Sequence, residues 1–122
     1  AYGFLKRVFE VFEKYRTPID MITTSEVAVS LTIDDTSHLS HILDDLREFG
    51  EVEIDREQTI ICIVGDFSSD RSGYATRIFS ALNDIPVRMI SYGGSKYNVS
   101  VLIHDRFKQQ ALQALNRGLF GL

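Results

Sequence analysis

The chain has 122 residues, 44% of them hydrophobic, and a formal net charge of −4. That length allows one domain or two very small ones, and the apolar content is that of a globular chain rather than a disordered one. The 13 Lys and Arg residues form no stripe that would grip nucleic acid, and no apolar run approaches the roughly 20 residues of a membrane span.

The start carries no signal-peptide pattern. Ala1-Tyr2-Gly3 leads straight into a helical pattern. Phe4, Leu5, Val8, Phe9 and Phe12 fall on one face, and Lys6, Arg7, Glu10, Glu13 and Lys14 on the other. Gly3 supplies a tight start. Thr17-Pro18 ends the helix, because proline disfavours a helical residue before it. Ile19 to Thr23 reads as a short strand. From Glu26 the pattern alternates: Val27, Val29, Leu31 and Ile33 against Ala28, Ser30 and Thr32, which predicts a half-buried strand. Asp34-Asp35-Thr36-Ser37 supplies a turn and an N-cap. Leu39, Ile42, Leu43, Leu46 and Phe49 form the apolar face of a second helix that Gly50 stops. Val52 and Ile54 mark a further strand.

Ile60-Ile61-Cys62-Ile63-Val64 reads as a short buried strand closed by Gly65, with Cys62 a small buried hydrophobe. Cys62 is the only cysteine, so no internal disulfide forms, which fits a reducing, cytoplasmic compartment. Asp66 to Ser72 is a polar loop capping a helix from Gly73 to about Asp84. Pro86 precedes a strand over Val87 to Tyr92, and Gly93-Gly94-Ser95 is a turn. Tyr97, Val99, Val101 and Ile103 alternate again. A last helix runs from Asp105 to about Gly118, with Phe107, Ala111, Leu112 and Leu115 inward.

One pattern occurs twice. Gly3-Phe4-Leu5 with Val8, Phe9 and Phe12 is matched by Gly73-Tyr74-Ala75 with Ile78, Phe79 and Leu82, and Pro18-Ile19-Asp20-Met21-Ile22 by Pro86-Val87-Arg88-Met89-Ile90. The fold class expected is α+β: two ferredoxin-like βαββαβ units, each an antiparallel sheet with two helices. The first, residues 1–56, lacks its leading strand. The second, residues 57–122, lacks its trailing strand. Residues upstream of Ala1 are expected to belong to the intact protein. Each unit of about 60 residues buries a marginal core, so the two should pack together or onto a partner.

Neither unit carries a catalytic constellation. His38 and His41 sit three apart with no cysteine or third histidine beside them, and His104 stands alone, which argues against a metal site. Gly93-Gly94 is too short to cradle phosphate. A chain built this way senses something rather than transforming it. A stand-alone enzyme of ferredoxin-like fold would need a general acid or base in a cleft.

Gly3-Phe4-Leu5, Val8-Phe9 and the run Ile19-Asp20-Met21-Ile22-Thr23-Thr24-Ser25-Glu26-Val27-Ala28-Val29-Ser30-Leu31-Thr32-Ile33-Asp34 resemble the regulatory region of lysine-sensitive aspartate kinases. The second copy is similar to that region through Arg88-Met89-Ile90-Ser91-Tyr92-Gly93 and Asn98. The resemblance covers nearly the whole chain and none of a kinase domain. It implies two ACT domains, the first inserted within the second, so that one strand of the second comes from upstream. It also implies L-lysine as allosteric effector, feedback inhibition of the ATP-dependent phosphorylation of aspartate, and a homodimer whose ACT domains form a continuous sheet with effector sites at the interface. The kinase domain of the same chain would use ATP and Mg; this region would hold no cofactor.

The residue chemistry runs alongside. Free backbone N–H groups at Gly3, Phe4 and Leu5, aided by the helix dipole, suit an effector carboxylate. The family places the α-ammonium contact at Pro18, Ile19 and Asp20. A lysine side chain adds a second ammonium, so Asp20 and Glu26 supply surplus negative charge, while Thr24 and Ser25 add hydroxyls. Arg88 stands where the first copy has Asp20, and Gly93 where it has Ser25, so a cationic effector should prefer the first copy. Each feature also has a plainer role. Asp20 fits a strand-end turn, Glu26 a solvent face or dimer contact, and Thr23 to Ser25 ordinary strand residues. Phe4, Leu5, Val8, Phe9 and Phe12 are core side chains, with Phe4 and Leu5 entering the site through their backbone. A dimerisation module without effector, or one answering to threonine or methionine, stays open.

Overall fold

The computed structural model describes residues 3–65, 73–93 and 98–122. The expected loop over Asp66 to Ser72, the Gly94-Ser95 part of the turn, Lys96 and Tyr97 lie outside the described residues, as do Ala1 and Tyr2. The chain divides into two compact units, Ala1–Ile54 and Asp55–Leu122.

The first unit contains helix α1 (Phe4–Lys14), strands β1 (Ile22–Thr24) and β2 (Val29–Leu31), and helix α2 (Leu39–Arg47). Apolar residues at helical spacing bury Val8, Val11 and Phe12 of α1 against Ile42 of α2. Phe4 packs at the margin of this core, whereas Leu5 and Phe9, expected inside, remain more than a third exposed. The helix ends where the Thr17 N–H reaches back to the Phe12 carbonyl at 2.9 Å, with Arg16 left-handed at φ 48° and Pro18 following.

β1 and β2 are antiparallel, with Ile22 opposite Leu31 and Thr24 opposite Val29. The pairing extends past β1's start: the Asp20 N–H donates to the Thr32 carbonyl at 2.9 Å, and the Thr32 N–H to the Met21 carbonyl at 2.9 Å. At the other end the Ser25 N–H donates to the Ala28 carbonyl at 2.8 Å and closes the hairpin. Val27 therefore sits at the tip, 90% exposed, instead of opening an inward-facing strand.

Three local expectations are corrected here. Asp35 Oδ1 accepts the Ser37 N–H at 2.9 Å and makes the expected turn, but α2 starts after His38 with no side-chain cap. Gly50 is not left-handed and lies beyond the end of α2, so it is not the helix stop. Residues 51–56 form no strand, because Val52 and Ile54 have no ladder partner among the described residues, and a strand exists only as part of a ladder.

The second unit contains β3 (Gln58–Val64), α3 (Tyr74–Ala81), β4 (Met89–Ser91), β5 (Asn98–His104), a 3-10 turn (Asp105–Phe107) and α4 (Lys108–Phe120). The sheet order is β3-β5-β4, all antiparallel, with Gln58 opposite His104 and Met89 opposite Leu102. Helices α3 and α4 cover one face, where Ile61, Val99, Val101 and Ile103 pack against Ile78, Ala111 and Leu115. Because side chains alternate along a strand, Ile60, Cys62 and Val64 point away from that core. Cys62 is exposed, not buried as its apolar neighbours suggested.

Helix α4 continues past Gly118 and is closed by left-handed Gly121 at φ 71°. Gly118 has another role. A Cβ there would lie 2.6 Å from the Cβ of Ala81, so the missing side chain lets α4 run close against α3. Leu112, expected inward, is 37% exposed, and Ala114 packs on the core instead. Each unit is thus ferredoxin-like in its order of elements and in its antiparallel sheet.

Candidate functional site

α1 begins on Gly3, whose backbone is left-handed at φ 83° and ψ −7°. No side chain caps this end, and the first turn holds no acidic residue. The Arg7 N–H, bonded to the Gly3 carbonyl at 3.2 Å, makes the first helical bond, so the amides of the preceding residues have no helical acceptor. A side chain at position 3 would meet nothing within 4 Å. The glycine is needed for its φ, and the space beside it is open. The second unit repeats the device: Gly73, at φ 95° and ψ 0°, begins α3 with no side-chain cap.

The nine residues expected to form the site lie in three groups. Gly3, Phe4 and Leu5 form the start of α1. Pro18, Ile19 and Asp20 lead into β1; Ile19 packs on the core, and Pro18 and Asp20 are exposed. Thr24, Ser25 and Glu26 are exposed around the hairpin tip, where Ser25 Oγ accepts the Val27 N–H at 3.4 Å. Among the described residues no hydrogen bond or ion pair joins these groups to one another, and none engages the carboxylate of Asp20.

Position 20 has a counterpart in the second unit. Asp20 donates its N–H to Thr32 on the neighbouring strand, and Arg88 donates its N–H to Leu102 in the same way, at 2.8 Å. The side chains differ in charge and in state. The Arg88 guanidinium holds Asp55 Oδ2 through Nε at 3.0 Å and Nη2 at 2.7 Å. The anchored cation of one unit thus corresponds to a free anion in the other.

Two arrangements escaped the sequence reading. The ring of Phe4 meets that of Phe49 edge-on, with centroids 5.8 Å apart and planes at 75°, and the Arg7 guanidinium lies 4.0 Å from the centre of the Phe49 ring. These partners are over 40 positions apart in sequence, and only the antiparallel packing of α1 on α2 brings them together.

At the other end of the helix pair, Lys14 Nζ and Tyr15 Oη both donate to Asp45 Oδ2, at 3.0 and 2.9 Å. Hydrogen bonds from Lys14 and Tyr15 hold the Asp45 carboxyl below its ordinary range, and the bond to Asp45 raises the Lys14 ammonium. The rings of His38 and His41 stack on Tyr15, at 6.0 and 5.8 Å. Among the described residues no group of three His, Cys, Asp or Glu is placed to hold a metal ion, and no helix is long and apolar enough to cross a membrane.

Residues 61–119 match the family model of the ACT domain. The chain is 36% identical to an aspartokinase of Candida albicans, over 98% of this chain and 23% of the relative. A candidate C-terminal regulatory domain of aspartate kinase from Porphyromonas gingivalis W83 is 50% identical, with a TM-score of 0.88 over 98% of this chain and 81% of that one. Escherichia coli aspartokinase III in complex with lysine and aspartate, in its T state, is 31% identical, with a TM-score of 0.85 over 98% of this chain and 28% of that one. The chain spans about a quarter of the length of the curated relatives it matches. These likenesses cover both units, and the chain belongs to the aspartate kinase family, as its ACT-domain regulatory region.

Proposed function

We propose that the first unit binds L-lysine and that its occupancy inhibits the ATP- and Mg-dependent phosphorylation of aspartate by the kinase domain of the same protein. The observation that carries this is the free Asp20 carboxylate, in the unit whose first helix starts uncapped on Gly3. The α1 amides at Gly3, Phe4 and Leu5 receive the effector carboxylate. The Pro18 and Ile19 carbonyls and Asp20 receive the α-ammonium. Glu26, with the hydroxyls of Thr24 and Ser25, receives the side-chain ammonium. Arg88 at the matching position repels a cation, which favours the first unit over the second. The E. coli relative solved with lysine and aspartate supports the same effector.

On this proposal the two ACT domains run over residues 1–56 and 57–122. The outer edge of β3 and the unpaired segment at Val52 and Ile54 accept strands from elsewhere in the protein. Two copies pair through ACT domains in the cytoplasm and complete each effector site across the pair. Lysine acts by binding the inhibited state of the dimer more tightly than the active one, since equal binding would shift nothing.

Isothermal titration of this chain, and of the full-length protein, with lysine, threonine and methionine tests the proposal. Saturable heat with lysine alone supports it. Heat with threonine or methionine and none with lysine replaces the effector, and silence with all three in the full-length dimer leaves a dimerisation module.

A further inference from the structure

Phe4 faces two ways. Its backbone N–H belongs to the open first turn of α1, and its ring packs edge-on against Phe49. Phe49 lies just beyond the end of α2, and its ring also carries the Arg7 guanidinium. From Phe49 the chain enters residues 51–56, which form neither helix nor strand. The next fixed points are Asp55, held twice by Arg88, and Glu57, whose carbonyl accepts the Asp105 N–H at 2.8 Å and whose carboxylate lies 3.6 Å from His104 Nε2. The connector is therefore gripped at one end by the rings at the start of α1 and at the other by β4, β5 and their flanks. Between the grips, residues 51–54 make no main-chain hydrogen bond among the described residues.

We infer that Phe49 is a positioning residue that couples effector occupancy at the start of α1 to the connector over residues 50–57. A carboxylate bound to the first-turn amides fixes the backbone of Phe4. A fixed Phe4 restricts its ring, and the ring restricts Phe49. Gly50 follows without a side chain to hold it independently; a Cβ there would sit 3.6 Å from Phe4 Cε1, inside the same contact. The order gained at α1 thus reaches the segment joining the units. This inference rests on lysine binding at α1, and the experiment separates the two.

Amide hydrogen exchange is measured on the full chain with and without saturating lysine, for the parent, Phe49→Leu, Phe49→Tyr and Arg7→Gln. In the parent, lysine should slow exchange at the first-turn amides of α1 and also at residues 51–56, the latter by about fivefold or more, the lower end of ordinary coupling between sites. Phe49→Leu should keep the protection at α1 and lose it in the connector, while Phe49→Tyr, which retains the ring, should restore both. Protection at α1 with an unchanged connector in the parent overturns the inference, and that result needs no variant to fold. Connector protection that survives in Phe49→Leu overturns it too. Connector protection lost in Arg7→Gln supports the ring contact as the coupling element, and its retention there with loss in Phe49→Leu assigns the coupling to Phe4 alone. Absence of protection at α1 in the parent sinks the lysine proposal itself and the coupling with it.

Discussion

Tyr15 Oη donates to Asp45 Oδ2 at 2.9 Å and so ties the end of α1 to the last turn of α2. Lys14 shares the same oxygen. The tie depends on an ionised carboxylate, which gives it a pH signature. The folded-state carboxyl of Asp45 lies below its ordinary value of 3.8, so its stabilising effect is present above that value and is lost as pH falls through the lower folded value. Lys14 lies above its ordinary 10.5, so its share is present below that value and is lost only as pH rises past it.

Thermal denaturation of the parent and of Asp45→Asn between pH 2 and 6 should therefore converge on acidification. At pH 6 the parent melts higher by roughly 1–3 °C, a modest margin because Lys14 is exposed, Asp45 is only half-buried and solvent screens the pair. Curves that stay parallel down to pH 2 would show that the pair contributes nothing.

Gly3→Ala should destabilise the first unit by ~1–2 kcal/mol, since an L-residue resists the left-handed backbone there. The melting temperature of that unit should drop by roughly 4–8 °C per kcal/mol. Gly50→Ala is the control. Its backbone is not left-handed, and its Cβ would make an ordinary contact with Phe4, so its melting curve should nearly overlay the parent's. Equal losses in the two variants would contradict the conformational account of Gly3.

Asp20→Ala should raise the lysine concentration for half-inhibition of the full-length enzyme by about tenfold or more, the scale of losing one charge-assisted hydrogen bond. Turnover without lysine should hold, and so should the melting temperature, because the Asp20 carboxylate makes no hydrogen bond or ion pair among the described residues. An inhibition curve that overlays the parent's would remove Asp20 from the site.

Gly118→Ala pits two effects against each other. Alanine gains about 1 kcal/mol of helix propensity over glycine, but overpacking against a neighbouring helix costs ~1–3 kcal/mol. At 2.6 Å from a Cβ that cannot rotate away, the clash should win. Urea denaturation should show a net loss of about 1 kcal/mol in the second unit, and Ala81→Gly in the same chain should restore part of it. A stabilised single variant would mean that α3 and α4 separate freely.

The helices were legible because their apolar residues recur at helical spacing, and Gly3 because a glycine just before such a run marks a turn into it. The misses have separate causes. Val27 matched the alternation, yet the bond from Ser25 to Ala28 sets where the hairpin turns, and alternation does not report closure. Cys62 looked buried because a short apolar run does not reveal whether one or both faces of its strand are covered. Gly118 reads as a helix end on spacing alone, although a glycine can equally mark a close crossing. Val52 and Ile54 have strand-like character without a ladder partner among the described residues. At the site, sequence gave the three segments but no relation among them, and Phe49 read only as one more apolar position.

The main chain at positions 20 and 88 is held to the neighbouring strand in the same way, and both side chains are exposed, with that of Arg88 braced on Asp55. Position 20 therefore tolerates a change of charge without disturbing the scaffold around it. On the proposed function, the first copy uses this position for a ligand, while the second uses it for internal bracing against Asp55. A substitution at position 20 should therefore change the response to ligand before it changes stability.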